Sequence, residues 1–132
     1  RIGIETGTFV MLGYPGETEA DLAETVRHLR ASNPHLFTIT IAYPIKGTFL
    51  YDTVEDSLLP GKPWAESTDR DLDFPRTYPR RYYDFAARWV VNAVTWHQLK
   101  EKKSVWDFHT VRAAVKMVAA RTAMFFLKNW SQ

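Results

Sequence analysis

The candidate chemistry of this chain centres on a short turn made of Gly13, Tyr14, Pro15 and Gly16. The apolar residues Phe9 to Leu12 precede it and predict a strand that is buried on both faces. Because glycine tolerates positive φ and carries no side chain, a ligand can approach the backbone closely at the end of this strand. The same residues also suit a helix-entry turn that binds nothing, and the residues alone leave both interpretations open.

Other residue types that support catalysis or metal binding show no organised spacing, so no catalytic or metal-binding residue is predicted. The carboxylates of Asp52, Glu55 and Asp56 have no histidine beside them, and we expect them to be solvated. The four histidines lack the spacing of a zinc site, and the chain has no cysteine to form a disulfide or bind a metal cluster. No nucleic-acid motif is present. The absence of a signal peptide and of roughly 18 consecutive apolar residues predicts a soluble, cytoplasmic protein.

The turn is predicted to lead from the strand into an amphipathic helix. Thr18 is a candidate N-cap with Asp21 as its capping-box partner. Leu22, Val26 and Leu29 recur at helical spacing and form one apolar stripe for packing on a sheet. The helix is predicted to end at Asn33-Pro34.

A second strand is predicted from Leu36 to Tyr43, where threonine alternates with β-branched and aromatic residues. A strand, a crossover helix and a second strand form a right-handed βαβ unit with parallel strands. The turn that follows, residues 44–51, should then leave the sheet on the same side as Gly13 to Gly16. Both turns are therefore expected to line the opening of one pocket.

These two turns carry a resemblance to a known family. The segment from Leu12 to Thr18 reads LGYPGET and resembles the apolar-Gly-x-Pro-Gly-Glu-Thr signature of radical S-adenosylmethionine (SAM) enzymes, especially those with an upstream cobalamin-binding domain. The later segment from Pro44 to Tyr51 is similar to the family's Pro-x-Pro-Gly-Thr segment, with Lys46 in place of the second proline. The resemblance covers about residues 2 to 51.

The resemblance implies an α/β fold, in which this chain supplies the C-terminal βαβ portion of a partial (β/α)6 TIM-like barrel, followed by a helical extension. It implies that SAM binds near the ends of both strands, with Met11 against the adenine. The cofactor-binding residues it implies are Met11, Gly13, Pro15, Gly16, Ala42 and Tyr43.

The family holds a [4Fe–4S] cluster with a Cys-x-x-x-Cys-x-x-Cys loop early in the barrel, and this chain has no cysteine. We therefore expect the cluster, the cobalamin and the N-terminal barrel to lie in other parts of a longer parent, and the isolated segment to be inactive. The implied reaction is reductive cleavage of SAM to a 5′-deoxyadenosyl radical that abstracts hydrogen from an unactivated carbon of a small, lipid-like or tetrapyrrole substrate. The helical tail most resembles those of anaerobic magnesium-protoporphyrin monomethyl ester cyclases and hopanoid-associated radical SAM proteins.

Three segments are expected: barrel strands in residues 1–51, an irregular covering segment in residues 52–79, and a helical hairpin in residues 80–132. A short helix is predicted from Phe49 to Leu59, across the boundary between the first two segments. The covering segment is predicted to be anchored by Trp64, Phe74 and Tyr78, either as a substrate lid or as an outer strap. The hairpin helices are predicted from Arg80 to about Lys102 and from Asp107 to Asn129. The second helix is predicted to pack through one apolar side, formed by Val111, Ala114, Val115, Val118, Thr122, Phe125 and Phe126.

A second hypothesis follows from the uneven charge. Residues 1–60 hold 4 Lys and Arg against 8 Asp and Glu, whereas residues 61–132 hold 13 against 7. The hairpin, with Trp96, Trp106 and Trp130 beside its cations, could be a non-catalytic module that docks on a partner protein or an anionic membrane. In either case the isolated strands should leave a bare apolar face and open edges, so self-association is expected.

Overall fold

A computed structural model describes residues 3, 5–59, 72–102 and 106–130 of the chain. Strand β1 (Gly7–Leu12) pairs in parallel with strand β2 (Leu36–Ile41), and helix α1 (Glu19–Ser32) connects them. Helices α2 (Phe49–Val54), α3 (Arg80–Lys102) and α4 (Phe108–Trp130) follow. The parallel pairing and its crossover helix confirm the sequence prediction.

Helix α1 begins and ends at the residues that its caps predict. The Asp21 N–H donates to the Thr18 hydroxyl, and the Thr18 N–H donates to the Asp21 carboxylate at 2.8 Å, which completes the capping box. At the other end Asn33 adopts a left-handed conformation with φ 41°, and its N–H donates to the Leu29 carbonyl. Leu22, Val26 and Leu29 are buried. The predicted apolar stripe is therefore the packed face of the helix.

The sheet is covered on one face only, so the prediction that β1 is buried on both faces is wrong for this chain, and the bare apolar face expected of the isolated strands is confirmed. Val10 and Leu12 point into the core, as do the side chains of β2 that share their face. On the opposite face Phe9 is 90% exposed and Met11 is 52% exposed. The alternation follows from the strand's period of two, and a continuous apolar run conceals it.

Helix α3 lies at the centre of the molecule and contacts α1, α4 and both strands. Its buried residues join those of α1 and β1 in the main core, together with Met124 of α4. The buried residues that α3 contributes to this core are Tyr82, Tyr83, Ala86, Val90, Ala93 and Val94. Parts of residues 1–51 and 80–132 thus share a single core.

The predicted packing side of α4 is wrong. Val111, Val115, Val118, Phe125 and Phe126 are between 40% and 62% exposed. The residues of α4 that are buried instead are Thr110, Ala113, Ala120 and Met124. Met117 and Leu127 also pack against the main core, so the packed side of α4 combines small and large apolar residues.

A smaller core forms below the ends of the strands. It joins Ala42, Leu50 and Val54 to Phe74, which is 1% exposed. Phe74 is thus an anchor of the covering segment, as predicted, whereas Trp64 lies outside the described residues.

Two predicted boundaries also change near this smaller core. Strand β2 ends at Ile41 rather than Tyr43. The predicted helix from Phe49 to Leu59 divides into α2 and a single 3₁₀ turn at Glu55–Ser57.

Candidate functional site

The strand exits that lead into the two turns of the predicted site lie side by side at the carboxyl-terminal end of the sheet. Leu12 of β1 and Ile41 of β2 are partners in register. The N–H of Ala42 then donates to the Leu12 carbonyl at 2.7 Å, one residue beyond the end of β2. Gly13 and Ala42 therefore enter their turns from adjacent positions at the carboxyl ends of parallel strands, where α/β proteins gather ligands.

Arg76, from the covering segment, binds the first turn and the strand exit that leads into the second turn. Its Nε donates to the Gly13 carbonyl at 3.2 Å, and its Nη2 donates to the Ala42 carbonyl at 2.7 Å. The side chain is only 2% exposed. Hydrogen bonds from a charged donor are stronger than those between neutral groups. A single guanidinium thus fixes the separation of the two turn entries.

The buried charge of Arg76 is itself compensated by its neighbours. Its Nη1 forms an ion pair with the carboxylate of Asp73, and Arg80 lies 3.9 Å from the same oxygen. The guanidinium carbon lies 4.0 Å from the centre of the Phe74 ring. A buried cation requires such a partner and hydrogen bonds to offset its lost hydration. The sequence from Asp73 to Arg76 therefore works as one unit that holds the turns.

Glu17 closes the first turn from the other side. Its Oε2 accepts the Gly13 N–H at 2.7 Å, and its own N–H donates to the Tyr14 carbonyl at 3.0 Å. Burial raises the pKa of Glu17, and the charge of Asp21 adds to this effect, while the hydrogen bond from Gly13 opposes it. Burial, with the charge of Glu17 as a further cause, also raises the pKa of Tyr83 to about 12. The Glu17 carboxyl and the Tyr83 hydroxyl therefore both lie in partly buried surroundings beside the first turn.

The two glycines of the turn differ in what surrounds them. Both have positive φ, 80° at Gly13 and 81° at Gly16, which disfavours any residue with a side chain. A Cβ at Gly13 would also lie 3.3 Å from Arg76 Nε and 3.4 Å from Tyr83 Cδ1, whereas one at Gly16 would meet nothing within 4 Å. The closeness of Arg76 is thus an additional reason for glycine at position 13.

The predicted cofactor-binding residues fall into two groups at this edge. Gly13 and Ala42 are buried, and their backbone N–H and carbonyl groups already bind within the chain. Met11 and Gly16 are exposed and Pro15 is half-buried, so their surfaces remain open to a ligand.

Tyr43, the last of the predicted residues, lies on a different surface. It is half-buried and lines a cleft of about 460 Å³ between β2 and α3, together with Arg80, Asp84 and Arg88. The strands thus bring the turn entries together, while Tyr43 is directed toward the side of the sheet that α3 covers.

Met11 belongs to a larger open surface, which we call the bare sheet face. It consists of the outward side chains of both strands: Phe9, Met11, Leu36, Thr38 and Thr40. Phe9 is 90% exposed and Leu36 is 68% exposed. Large apolar side chains that are exposed together mark a surface that packs against something else.

Sequence reasoning missed Arg76 and also missed the hydrogen bond between Glu17 and the Gly13 N–H. Arg76 lies far along the chain from both turns, and no local pattern marks an arginine that will be buried. Glu17 could have been found, because the signature places a carboxylate four residues after Gly13, within reach of its backbone N–H.

Comparisons of the chain with protein-family models, curated proteins and solved structures find no significant match. Within the ranges that the structure describes, no group of three His, Asp or Glu side chains is placed to hold a metal ion. None of the helices in these ranges is both long and apolar enough to cross a membrane.

Proposed function

We propose that this chain supplies the last two strands of the catalytic barrel in a cytoplasmic radical SAM enzyme that also has a cobalamin-binding domain. In that enzyme a [4Fe–4S] cluster, held by residues outside this chain, would supply the one electron needed for the cleavage of SAM to methionine and a 5′-deoxyadenosyl radical. The radical removes hydrogen from an unactivated carbon of a small, lipid-like or tetrapyrrole substrate. The role of this chain is to form one wall of the SAM pocket.

One observation supports this proposal above the others. The first of the two segments that carry the family resemblance begins at Leu12, and the second begins two residues after Ala42, which lies beside Leu12 at the carboxyl ends of the parallel strands. Arg76 donates hydrogen bonds to the carbonyls of Gly13 and Ala42 and so joins these two strand exits. A shared ligand pocket requires this placement, and turns on opposite edges would have excluded it.

The residues at this edge fit the apolar part of the cofactor. Met11 presents a half-exposed, polarizable side chain two residues before Gly13, as a contact to a planar ring requires. The backbone groups of Gly13 and Ala42 are used within the chain, so these residues shape the wall rather than donate new hydrogen bonds. Pro15 and Gly16 form the rim.

The bare sheet face supports the barrel in the same way. In a barrel the helices cover the outside, and the opposite face of each strand points to the interior. Here α1 and α3 cover one face, while Phe9, Met11 and Leu36 remain exposed on the other. The preceding strands of the parent would enclose this face.

The proposal is tested on the full-length parent, reconstituted with iron, sulfide and cobalamin under strong reductant. Wild-type protein should release 5′-deoxyadenosine from SAM. Met11→Glu should weaken SAM binding while the iron content stays unchanged. Val91→Glu is the matched control, because Val91 is a similarly exposed apolar residue on α3, at 40% against 52% for Met11. Release of no 5′-deoxyadenosine by the wild type, or equal SAM affinities for the two variants, would refute the proposal.

A further inference from the structure

Helix α4 exposes an apolar surface, interrupted by Thr122, on the side that faces away from α3. We call it the outer α4 stripe, and its members lie within a sector about 100° wide on a helical projection. Their exposed fractions run from 40% at Val111 to 71% at Phe108. The outer α4 stripe consists of Phe108, Val111, Val115, Val118, Phe125 and Phe126.

The fold does not use this surface. Contact with the core is made on the opposite side of α4, through Met117, Met124 and Leu127. Helix α4 therefore has two apolar sides, one packed and one exposed. The exposed side chains are aromatic and branched, and they extend along five turns of one helix. Soluble proteins rarely leave so large an apolar patch exposed.

All of the Lys, Arg, Asp and Glu side chains that α4 itself places beside the stripe are positively charged. Residues 108–130 contain four Lys and Arg and no Asp or Glu. Arg112 and Lys116 lie along one edge of the stripe, and Arg121 and Lys128 lie along the other. Glu19 of α1 pairs with Arg121 at 3.4 Å and with Lys128 at 3.0 Å, so the second edge is partly neutralised. Arg88 of α3 lines the same groove as Lys116 and adds to the first edge.

We propose that the outer α4 stripe docks on an anionic lipid bilayer, with α4 lying in the plane of the interface. An apolar sector flanked by Lys and Arg is the pattern of helices that bury one face at the headgroup boundary while their cations reach the lipid phosphates. Trp106, 86% exposed just before α4, suits the same boundary.

The charge pattern favours a bilayer over the other occupants. A second copy of α4 would bring one row of cations against another without a carboxylate from either helix. Protein interfaces are depleted in lysine, whereas anionic lipid surfaces attract it. This inference does not depend on the proposed reaction, and its test requires no catalysis.

The experiment is vesicle flotation of the whole chain, because flotation separates lipid binding from self-association. Vesicles of phosphatidylcholine alone are compared with vesicles that also contain phosphatidylglycerol. We expect binding to the anionic vesicles only, and weaker binding at high salt. The double variant Val115→Glu/Val118→Glu should lose about tenfold or more of this binding. Both residues are about 60% exposed, at 62% and 59%, so the fold should tolerate the change.

Phe9→Glu is the matched control, because Phe9 is an exposed apolar residue on the bare sheet face. It should bind anionic vesicles as the wild type does. A second measurement uses the absence of cysteine from the chain. A polarity-sensitive dye on Val115→Cys should shift to the blue with anionic vesicles, and the same dye on Glu24→Cys should not.

Three outcomes would overturn the proposal. They are no flotation of the wild type, equal flotation with neutral and anionic vesicles, and unchanged flotation of the Val115→Glu/Val118→Glu variant. Capture of an acidic protein without lipid binding would place the stripe in a protein interface and would equally refute it.

Discussion

Replacing Arg76 by methionine tests whether one buried guanidinium holds the two turns together. The change keeps most of the side-chain volume but removes the donors to the Gly13 and Ala42 carbonyls and the partner of Asp73. Each hydrogen bond from a charged group is worth about 1.5–3 kcal/mol, and breaking a buried ion pair costs about 3–5 kcal/mol. Asp73 is 31% exposed and can regain water. We therefore expect Arg76→Met to lower the free energy of unfolding by about 3 kcal/mol.

The assay is urea unfolding of the whole chain at one protein concentration, followed by tryptophan fluorescence and circular dichroism. Arg80→Met is the control, since Arg80 approaches the same Asp73 oxygen at 3.9 Å but is 43% exposed. Exposed pairs of this kind contribute about 0–1 kcal/mol. The free energy of unfolding of Arg76→Lys should lie between those of Arg76→Met and Arg80→Met, because an ammonium keeps the charge but not the planar fork.

Hydrogen exchange gives a local readout of the same change. The Ala42 N–H, which donates to Leu12, should exchange faster in Arg76→Met and stay protected in Arg80→Met. Equal losses of stability in the two methionine variants, with Ala42 protected in both, would show that Arg76 does not organise the turns.

Three further changes have expected outcomes. Burial opposes the charged form of Glu19, but Lys128, Arg121 and Tyr82 together lower its pKa. The charged Glu19 therefore stabilises the fold at a pH above the pKa of the unfolded state, and this stabilisation is lost as the pH falls through the pKa of the folded state. Glu19→Gln should therefore melt at a lower temperature at pH 7, and its melting temperature should fall less than the wild type's on acidification; parallel curves would contradict this. Gly13→Ala should cost about 1 kcal/mol more than Gly16→Ala in urea unfolding, because only the first variant also crowds Arg76 and Tyr83. Phe9→Ser should reduce self-association of the chain in light scattering, and an unchanged mass would argue against the bare sheet face as its cause.

The local features of this fold could be predicted because neighbouring residues determine them. The capping box of Thr18 and Asp21 depends on a spacing of three residues, and the end of α1 depends on Asn33 beside a proline. The parallel pairing follows from a crossover helix between two apolar strands. Such features need no knowledge of the rest of the chain.

The two errors of packing arise where a side chain's partner is distant. Helix α4 is apolar on two sides: Met117, Met124 and Leu127 pack against the main core, whereas Val115, Phe125 and Phe126 are exposed. Ranking by hydrophobicity therefore does not distinguish the packed side from the exposed one. In β1 the apolar run conceals which face meets α1 and α3.

The role of Arg76 in joining Gly13 and Ala42 was missed for the same reason. The bonds of Arg76 join residues 63 and 34 positions apart. Before folding, no property of the sequence around Arg76 distinguishes it from Arg80, which remains half exposed.

The distance in sequence between Arg76 and its acceptors also sets an order of events during synthesis. Both turns leave the ribosome well before the segment that carries Asp73 and Arg76. Until that segment emerges, the carbonyls of Gly13 and Ala42 must be satisfied by water, and contacts this remote along the chain form late. A nascent chain stopped short of Arg76 also lacks α3, so it should have neither the finished loops nor the core that covers the strands.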